Sequence, residues 1–240
     1  MEMKKGTMIM LKDQKKCKIK IVKNGPYLVS GNVPLSEKII VPNGKKYELK
    51  EGRKLPQAET YALCRCGNSK NPPFCDGSHA KIGFVGTETA SRARYEDRAE
   101  WMEGPGIDLM DDNRCAYARF CHRDKGSVWE LTERSYNEEN IREAIRAASD
   151  CPTGRLTAVE KTGERTEPEY DPSIAIVQDS ELGVSAGIFV TGNIPLESAD
   201  GTEYELRNRY ALCRCGESSR IPFCDASHVQ IKYSDRNIVK

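Results

Sequence analysis

The chain has 240 residues, with 38% apolar, 7% aromatic and 30% charged side chains, a balance that argues against one large core and for several small, cross-linked units. A net charge of +1 removes bulk electrostatics as a reason to expect nucleic acid, and recurring apolar stretches argue against disorder. No apolar run approaches the length of a membrane span.

The N-terminal stretch MEMKKGTMIMLKDQKKCKIK carries charges but no apolar h-region or small-residue cleavage site. It therefore reads as no signal peptide, and a cytoplasmic location is expected. Ile19 and Ile21 then alternate with other residues as in a half-buried strand, and Gly25–Pro26 and Gly31–Asn32 read as turns. Residues 61–79 follow as YALCRCGNSKNPPFCDGSH, rich in loop-forming Gly and Pro, with a possible short strand after it over Lys81–Gly86. Residues 89–168 change character. A charged stretch reads as a linker or surface helix, a turn and a short apolar run follow, and Trp129 and Leu131 suggest a strand. A helix is expected next, with Ser135 and Glu138 as a capping box or Asn137 as N-cap. Its apolar stripe is Ile141, Ala144, Ile145 and Ala148, and it ends near Asp150. Ile174 and Ile176 mark another strand, Gly192–Asn193 a turn, and residues 210–228 read YALCRCGESSRIPFCDASH. A short strand is expected over Val229–Tyr233.

One small unit thus occurs twice: both copies have C-x-C, eight residues, C, three residues and H. Upstream, IKIVKNGPYLVSGNVPL resembles IAIVQDSELGVSAGIFVTGNIPL, with loop insertions between. Clustered cysteines in a reducing compartment are metal ligands more often than disulfides. A disulfide across one residue would be strained, whereas two thiolates in a turn can converge on one metal. Three cysteines and a histidine can make a Cys₃His zinc site or hold a [2Fe–2S] cluster with two ligands on each iron.

Both segments resemble the CDGSH iron–sulfur motif of the mitoNEET family, C-x-C-x₂-[S/T]-x₃-P-x-C-D-G-[S/A/T]-H. The first copy matches throughout, including Ser69, Pro73, Asp76, Gly77 and Ser78. The second matches at Ser218, Pro222, Asp225 and Ser227, with Ala226 where glycine is usual. The resemblance implies two [2Fe–2S] clusters, one on Cys64, Cys66, Cys75 and His79, the other on Cys213, Cys215, Cys224 and His228. It also implies a solvent-facing, protonatable histidine in each site. Family members combine strands from two protomers, so the tandem copies are expected to form a pseudo-dimer within one chain, which can then be monomeric. Asp76 and Asp225 are expected either to order the loop through backbone hydrogen bonds or simply to form turns.

In the middle segment, Cys115 and Cys121 stand as first and third ligands of a C-x₂-C-x₂-C run, with Ala118 in the second place and Cys151–Pro152 as the remote ligand. The segment is similar to a divergent single-cluster ferredoxin domain. Three thiolates suit a [3Fe–4S] cluster; a [4Fe–4S] cluster needs a further ligand such as His122, Asp124, hydroxide or water. Cys17 has no partner at ligand spacing and reads as structural.

The expected fold is α+β: a small β-rich pseudo-two-fold pair, residues 1–88 and 169–240, with a ferredoxin-like unit inserted at 89–168. The expected function is electron transfer by a multi-cluster iron–sulfur protein working with a redox partner protein. The alternatives are a cluster donor to an apo-acceptor or a redox or iron sensor, and a zinc-stabilised interaction module. No nucleotide or flavin fingerprint is present, Gly104–Pro–Gly106 lacking its strand–helix context, and no catalytic set suggests an enzyme. Arg65, Lys70, Arg214 and Arg220 read as ordinary loop charges, or as a surface that steers an acidic partner.

Overall fold

A computed structural model describes residues 17–238; the expectation for the N-terminal stretch falls almost wholly outside them. The first copy supplies β1 (Lys18–Ile21), β2 (Tyr27–Ser30), β3 (Leu35–Asn43), β4 (Lys46–Glu51) and β5 (Thr60–Leu63), then a single helical turn, α1 (Ser78–Lys81). The alternation in β1 is as expected: Ile19 and Ile21 are fully buried and Lys20 is exposed.

The inserted segment begins with one helical turn, α2 (Tyr95–Arg98), and runs through β6 (Glu100–Met102), β7 (Ile107–Asp111), β8 (His122–Arg123), β9 (Gly126–Ser127), α3 (Val128–Glu133), α4 (Glu138–Ser149), β10 (Leu156–Glu160) and β11 (Arg165–Thr166). The second copy gives β12 (Ser173–Asp179), β13 (Val184–Thr191), β14 (Leu196–Glu197), β15 (Arg209–Leu212) and α5 (Ser227–Gln230). The whole is an α+β fold of several small sheets.

The two copies exchange strands. One sheet has the order β14-β1-β2-β5 and another β15-β13-β12-β3-β4. The second copy therefore lends β14 to the first copy's sheet, and the first lends the β3-β4 pair to the second's; both junctions are parallel, with Ile19 opposite Leu196 and Ile174 opposite Leu35. The exchange gives two polar units one common core, in which Ile19, Tyr27, Val29 and Leu63 pack with Ile174, Ile188, Val190 and Leu212. Each fully buried aliphatic side chain there contributes about 1.5–3 kcal/mol relative to exposure. Cys17 packs against this core and its thiol donates to the Gly31 carbonyl at 3.5 Å, in keeping with a structural role.

The inserted unit has the sheet β11-β10-β7-β6, covered by α3 and α4. Its helix α4 ends at the Asp150 C-cap, and its stripe packs as expected, Ala144 and Ala148 buried and Ile141 and Ile145 half-buried, with Ala147 added. One local expectation is corrected, and one pair of alternatives is decided. Trp129 and Leu131 lie in a helix, because Ser127 and Glu130 cap α3 reciprocally and Val128, Leu131 and Thr132 bury one helical face. The N-cap of α4 is Asn137, which accepts from the Asn140 N–H at 2.9 Å, while Ser135 accepts from Gly106 N–H at 2.9 Å. The strands expected over Lys81–Gly86 and Val229–Tyr233 are also absent. A left-handed residue before each motif histidine turns the chain at once into α1 or α5, and the chain then closes back, the amides of Phe84 and Tyr233 donating to the histidine carbonyls at 2.9 Å.

Candidate cluster sites

The strands β5 and β15 deliver the C-x-C pairs. The amide of Cys64 donates to Pro73 O at 2.8 Å and that of Cys75 to Ala62 O at 2.9 Å, clipping the third cysteine beside the first two. Cys213 and Cys224 repeat this with Pro222 and Ala211, at 2.8 and 2.9 Å. The four candidate ligands of each copy form two close pairs. Cys64 Sγ lies 3.8 Å from Cys66 Sγ, and Cys75 Sγ lies 3.3 Å from His79 Nδ1. In the second copy the distances are 3.6 Å for Cys213 and Cys215 and 3.5 Å for Cys224 and His228 Nδ1. Two donors on one tetrahedral metal with bonds near 2.3 Å stand about 3.8 Å apart, so each pair suits one metal atom. Among the described residues, no three His, Cys, Asp or Glu side chains gather round a single ion.

The loops around these pairs are built by their own short polar side chains. Ser69 donates to Phe74 O at 2.6 Å and Ser218 to Phe223 O at 2.7 Å. Asp76 accepts from the amides of Lys70 and Ser78 at 2.8 and 3.0 Å, and Asp225 from those of Ser219 and Ser227 at the same distances. Both aspartates therefore order the loop through the backbone. The Cys66 thiol and the amides of Ser69, Gly67 and Cys66 hold the Cys64 sulfur well below the usual thiol range against its burial; Cys213 is held down in the same way by Cys215 and the amides of Ser218, Gly216 and Cys215. Amides close to a ligand sulfur favour its thiolate and tune the potential of a cluster held there.

The two sites touch. A Cβ on Gly67 would stand 2.4 Å from Cys215 O, and one on Gly216 would stand 2.9 Å from Cys66 O. The glycine after each C-x-C thus packs against the other copy's backbone. Tyr27, wholly buried, donates between the Cys213 and Pro222 carbonyls at 2.8 and 3.0 Å, so the first copy also braces the second site.

In the inserted unit Cys115, Cys121 and Cys151 line one cleft of about 310 Å³, its mouth included, together with Ala118, Trp129 and Arg155. Burial, with Cys151 and then Cys115 close by, pushes the Cys121 thiol up to about 12. The intervening loop has Tyr117 and Arg119 at φ 58° and 65°, left-handed conformations that side-chain-bearing residues adopt at a cost of about 1–3 kcal/mol. Of the further ligands considered, His122 is exposed in β8 and lines a different groove, and Asp124 is exposed and ion-paired with Lys46 at 2.7 Å. Thr153 stands nearer, its hydroxyl 3.2 Å from Cys151 Sγ.

Residues 24–80 and 187–229 match the family model of the iron-binding zinc finger of CDGSH type, and residues 102–161 match that of the divergent 4Fe-4S mono-cluster. The chain carries two CDGSH domains around a 4Fe-4S-type domain. It is an iron–sulfur protein. Comparison with curated proteins and with solved structures finds no match.

The CDGSH domains are not equivalent. His79 is half-buried, whereas His228 is only 3% exposed, which corrects the expectation of a solvent-facing histidine in the second domain. Among the described residues, the mono-cluster domain packs on the second site alone. Its loop residues Ala116, Ala118 and Phe120 pack with Cys224, Ala186 and Phe189 in one apolar cluster. Arg119 in the same loop grips Asp179 through two hydrogen bonds, at 2.8 and 3.2 Å, and stacks on Tyr47.

The basic residues are likewise split. Arg65 and Arg214 are each 2% exposed, which removes them from any steering surface. Arg65 donates to the carbonyls of Gly25, Gly86 and Val22; Arg214 donates to Ala186 and Val177 and pairs with buried Asp235. Lys70 and Arg220 remain exposed.

Gly77 and Ala226, before the histidines, have φ 83° and 71°, so the position does require a left-handed backbone. A Cβ at Gly77 would meet nothing within 4 Å. The alanine therefore strains only the backbone, and the site geometry survives it. Ala226→Gly is expected to stabilise the chain by about 0.5–1 kcal/mol, and Gly77→Ala to destabilise it by a similar amount with cluster absorbance retained. Denaturant unfolding of both variants checks this; a destabilised Ala226→Gly would show that the strain is not there.

Proposed function

We propose that this chain is a multi-cluster electron-transfer protein. In this reading Cys64, Cys66, Cys75 and His79 hold one [2Fe–2S] cluster, and Cys213, Cys215, Cys224 and His228 a second. Cys115, Cys121 and Cys151 hold a third, of [3Fe–4S] or [4Fe–4S] type. Such clusters supply one-electron acceptors and donors. The observation that carries the reading is the contiguity of the three donor sets. The C-x-C loops of the CDGSH domains touch at Cys66–Gly67 and Cys215–Gly216, and the mono-cluster loop packs on Cys224. The pairing of donors two by two favours a dinuclear centre over a single zinc in each CDGSH domain.

The chain's own part is to bind, to orient and to exclude water. Backbone amides stabilise the thiolates, the aspartates fix the loops, and the mono-cluster loop shields the second domain. Nothing in this arrangement calls for a substrate, and the working partner is a second redox protein. Among the described residues no helix is long and apolar enough to cross a membrane, and no disulfide links the cysteines from Cys64 onward, which suits a reducing cytoplasm. The half-exposed His79 favours a second reading in which the first domain gives up its cluster to an apo-acceptor.

Repeated chemical reduction and reoxidation without oxygen decides between them. A carrier keeps its absorbance over many cycles, whereas a donor loses iron to an apo-ferredoxin faster than to buffer. His79→Cys and His228→Cys are each expected to keep a cluster, lower its potential and reduce its acid lability, because a thiolate is the stronger donor. Unchanged potentials and acid lability in both variants and their double would remove the histidines from the ligand set.

A further inference from the structure

A cleft between the mono-cluster domain and the second CDGSH domain is lined by four guanidinium groups, those of Arg92, Arg98, Arg114 and Arg207, against two carboxylates, Asp112 and Glu205. It encloses about 540 Å³ with its open mouth, and inside it narrows to the width of a small ion.

The charges do not cancel within it. Asp112 is held by Arg98 at 3.0 Å and lies 3.9 Å from Arg114. Glu205 accepts from the Tyr95 amide at 2.8 Å and stands 3.7 Å from Arg98. Arg92 leans on Glu88 at 3.5 Å and Asp200 at 4.0 Å, outside the cleft. Arg207 has no carboxylate within 4 Å among the described residues; its partners are Gly154 O at 2.9 Å and the Tyr95 ring.

Three of the guanidiniums sit over aromatic rings. Arg92 lies 3.8 Å from the centroid of Tyr204, Arg114 4.3 Å from that of Phe223 and Arg207 3.8 Å from that of Tyr95. The ring contacts and one backbone bond each, Arg114 Nη2 to Ser91 O at 3.0 Å and Arg207 Nη2 to Gly154 O at 2.9 Å, hold these two guanidiniums in place and leave further N–H donors, the groups that recognise phosphate. A net excess of preorganised arginines in a partly closed cleft is an anion site.

We propose that this cleft binds a small phosphate-type oxyanion, either free phosphate or the phosphoryl group of a small metabolite, held chiefly by Arg114 and Arg207. Its wall includes Cys224 and Thr153, so the anion would sit against both the second CDGSH site and the turn that follows Cys151 in the mono-cluster domain. The proposal does not depend on which metal those sites hold.

Isothermal titration of the full-length protein, purified without oxygen, with inorganic phosphate and with glycerol 3-phosphate tests it at low ionic strength. One saturable site with Kd below about 1 mM is expected. Arg207→Gln should weaken it about tenfold or more, and Arg207→Lys less, since lysine keeps the charge but not the fork. Tighter binding of glycerol 3-phosphate identifies a phosphomonoester as the ligand, and equal or weaker binding identifies the free ion. Unchanged melting temperature and visible spectrum serve as the folding control, and Arg114→Gln carries the test if Arg207→Gln fails it. No saturable heat from either probe up to about 10 mM, or unweakened binding in the folded variants, would overturn the proposal.

Discussion

Arg214→Met is expected to destabilise the protein by about 3–5 kcal/mol, because it leaves the buried Asp235 carboxylate without its cation and frees the carbonyls of Ala186 and Val177. Arg65→Met should cost less, since Arg65 donates to three carbonyls and faces no buried acid. Burial alone would push the Asp235 carboxyl up. Arg214, the Asn237 amide and Gln178 outweigh it and hold the group at about 2. A carboxyl depressed below its unfolded value of about 3.9 stabilises the fold above that pH, and the contribution is lost as pH falls through 2. Without Arg214 burial prevails and the sign reverses, so the variant loses stability as pH rises through the raised value. Denaturant unfolding at pH 7 of Arg214→Met and of Arg214→Met with Asp235→Asn checks the account. The double variant should recover a large part of the loss. A single variant within about 0.5 kcal/mol of the parent would mean that the buried pair is not what anchors the loop.

Iron should leave the two CDGSH domains at different rates. A chelator reaches the first domain past half-buried His79, whereas in the second His228 is buried and the mono-cluster loop packs on Cys224 and must lift off it. If lifting the loop costs only about 1.4 kcal/mol, the rates already differ tenfold. Biphasic loss followed by visible absorbance is therefore expected, with Arg119→Ala accelerating the slow phase alone by releasing Asp179. A single phase in the parent protein, or an Arg119→Ala variant that leaves the slow phase unchanged, would show that the loop is no cover.

The repeated motif and the α4 stripe were legible because each is a short-range pattern with a fixed spacing, whereas the loop-ordering role of Asp76 and Asp225 was one of two open readings. Strand exchange was anticipated only through resemblance, since pairing of Ile19 with Leu196 leaves no local trace. The burial of His228 was not legible at all. The two motifs read almost alike, and the difference lies in a loop about a hundred residues upstream. Arg65 and Arg214 were misplaced on the surface for a related reason. An arginine between two cysteines in a polar loop looks solvated until the carbonyls it bonds are brought in from Gly25, Gly86, Ala186 and Val177. The missed capping of α3 by Ser127 and Glu130 is different: that S-x-x-E pattern stands in the sequence and marks the helix start that a strand through Trp129 and Leu131 overlooks.

Iron and zinc per chain, measured on protein purified without oxygen, test the central claim most directly. Two [2Fe–2S] clusters and a [3Fe–4S] or [4Fe–4S] cluster give roughly seven or eight irons and no zinc. A value near four would leave Cys115, Cys121 and Cys151 without a cluster. Two zincs and no iron would contradict the redox reading outright, and would mean that the paired donors hold one structural ion in each CDGSH domain.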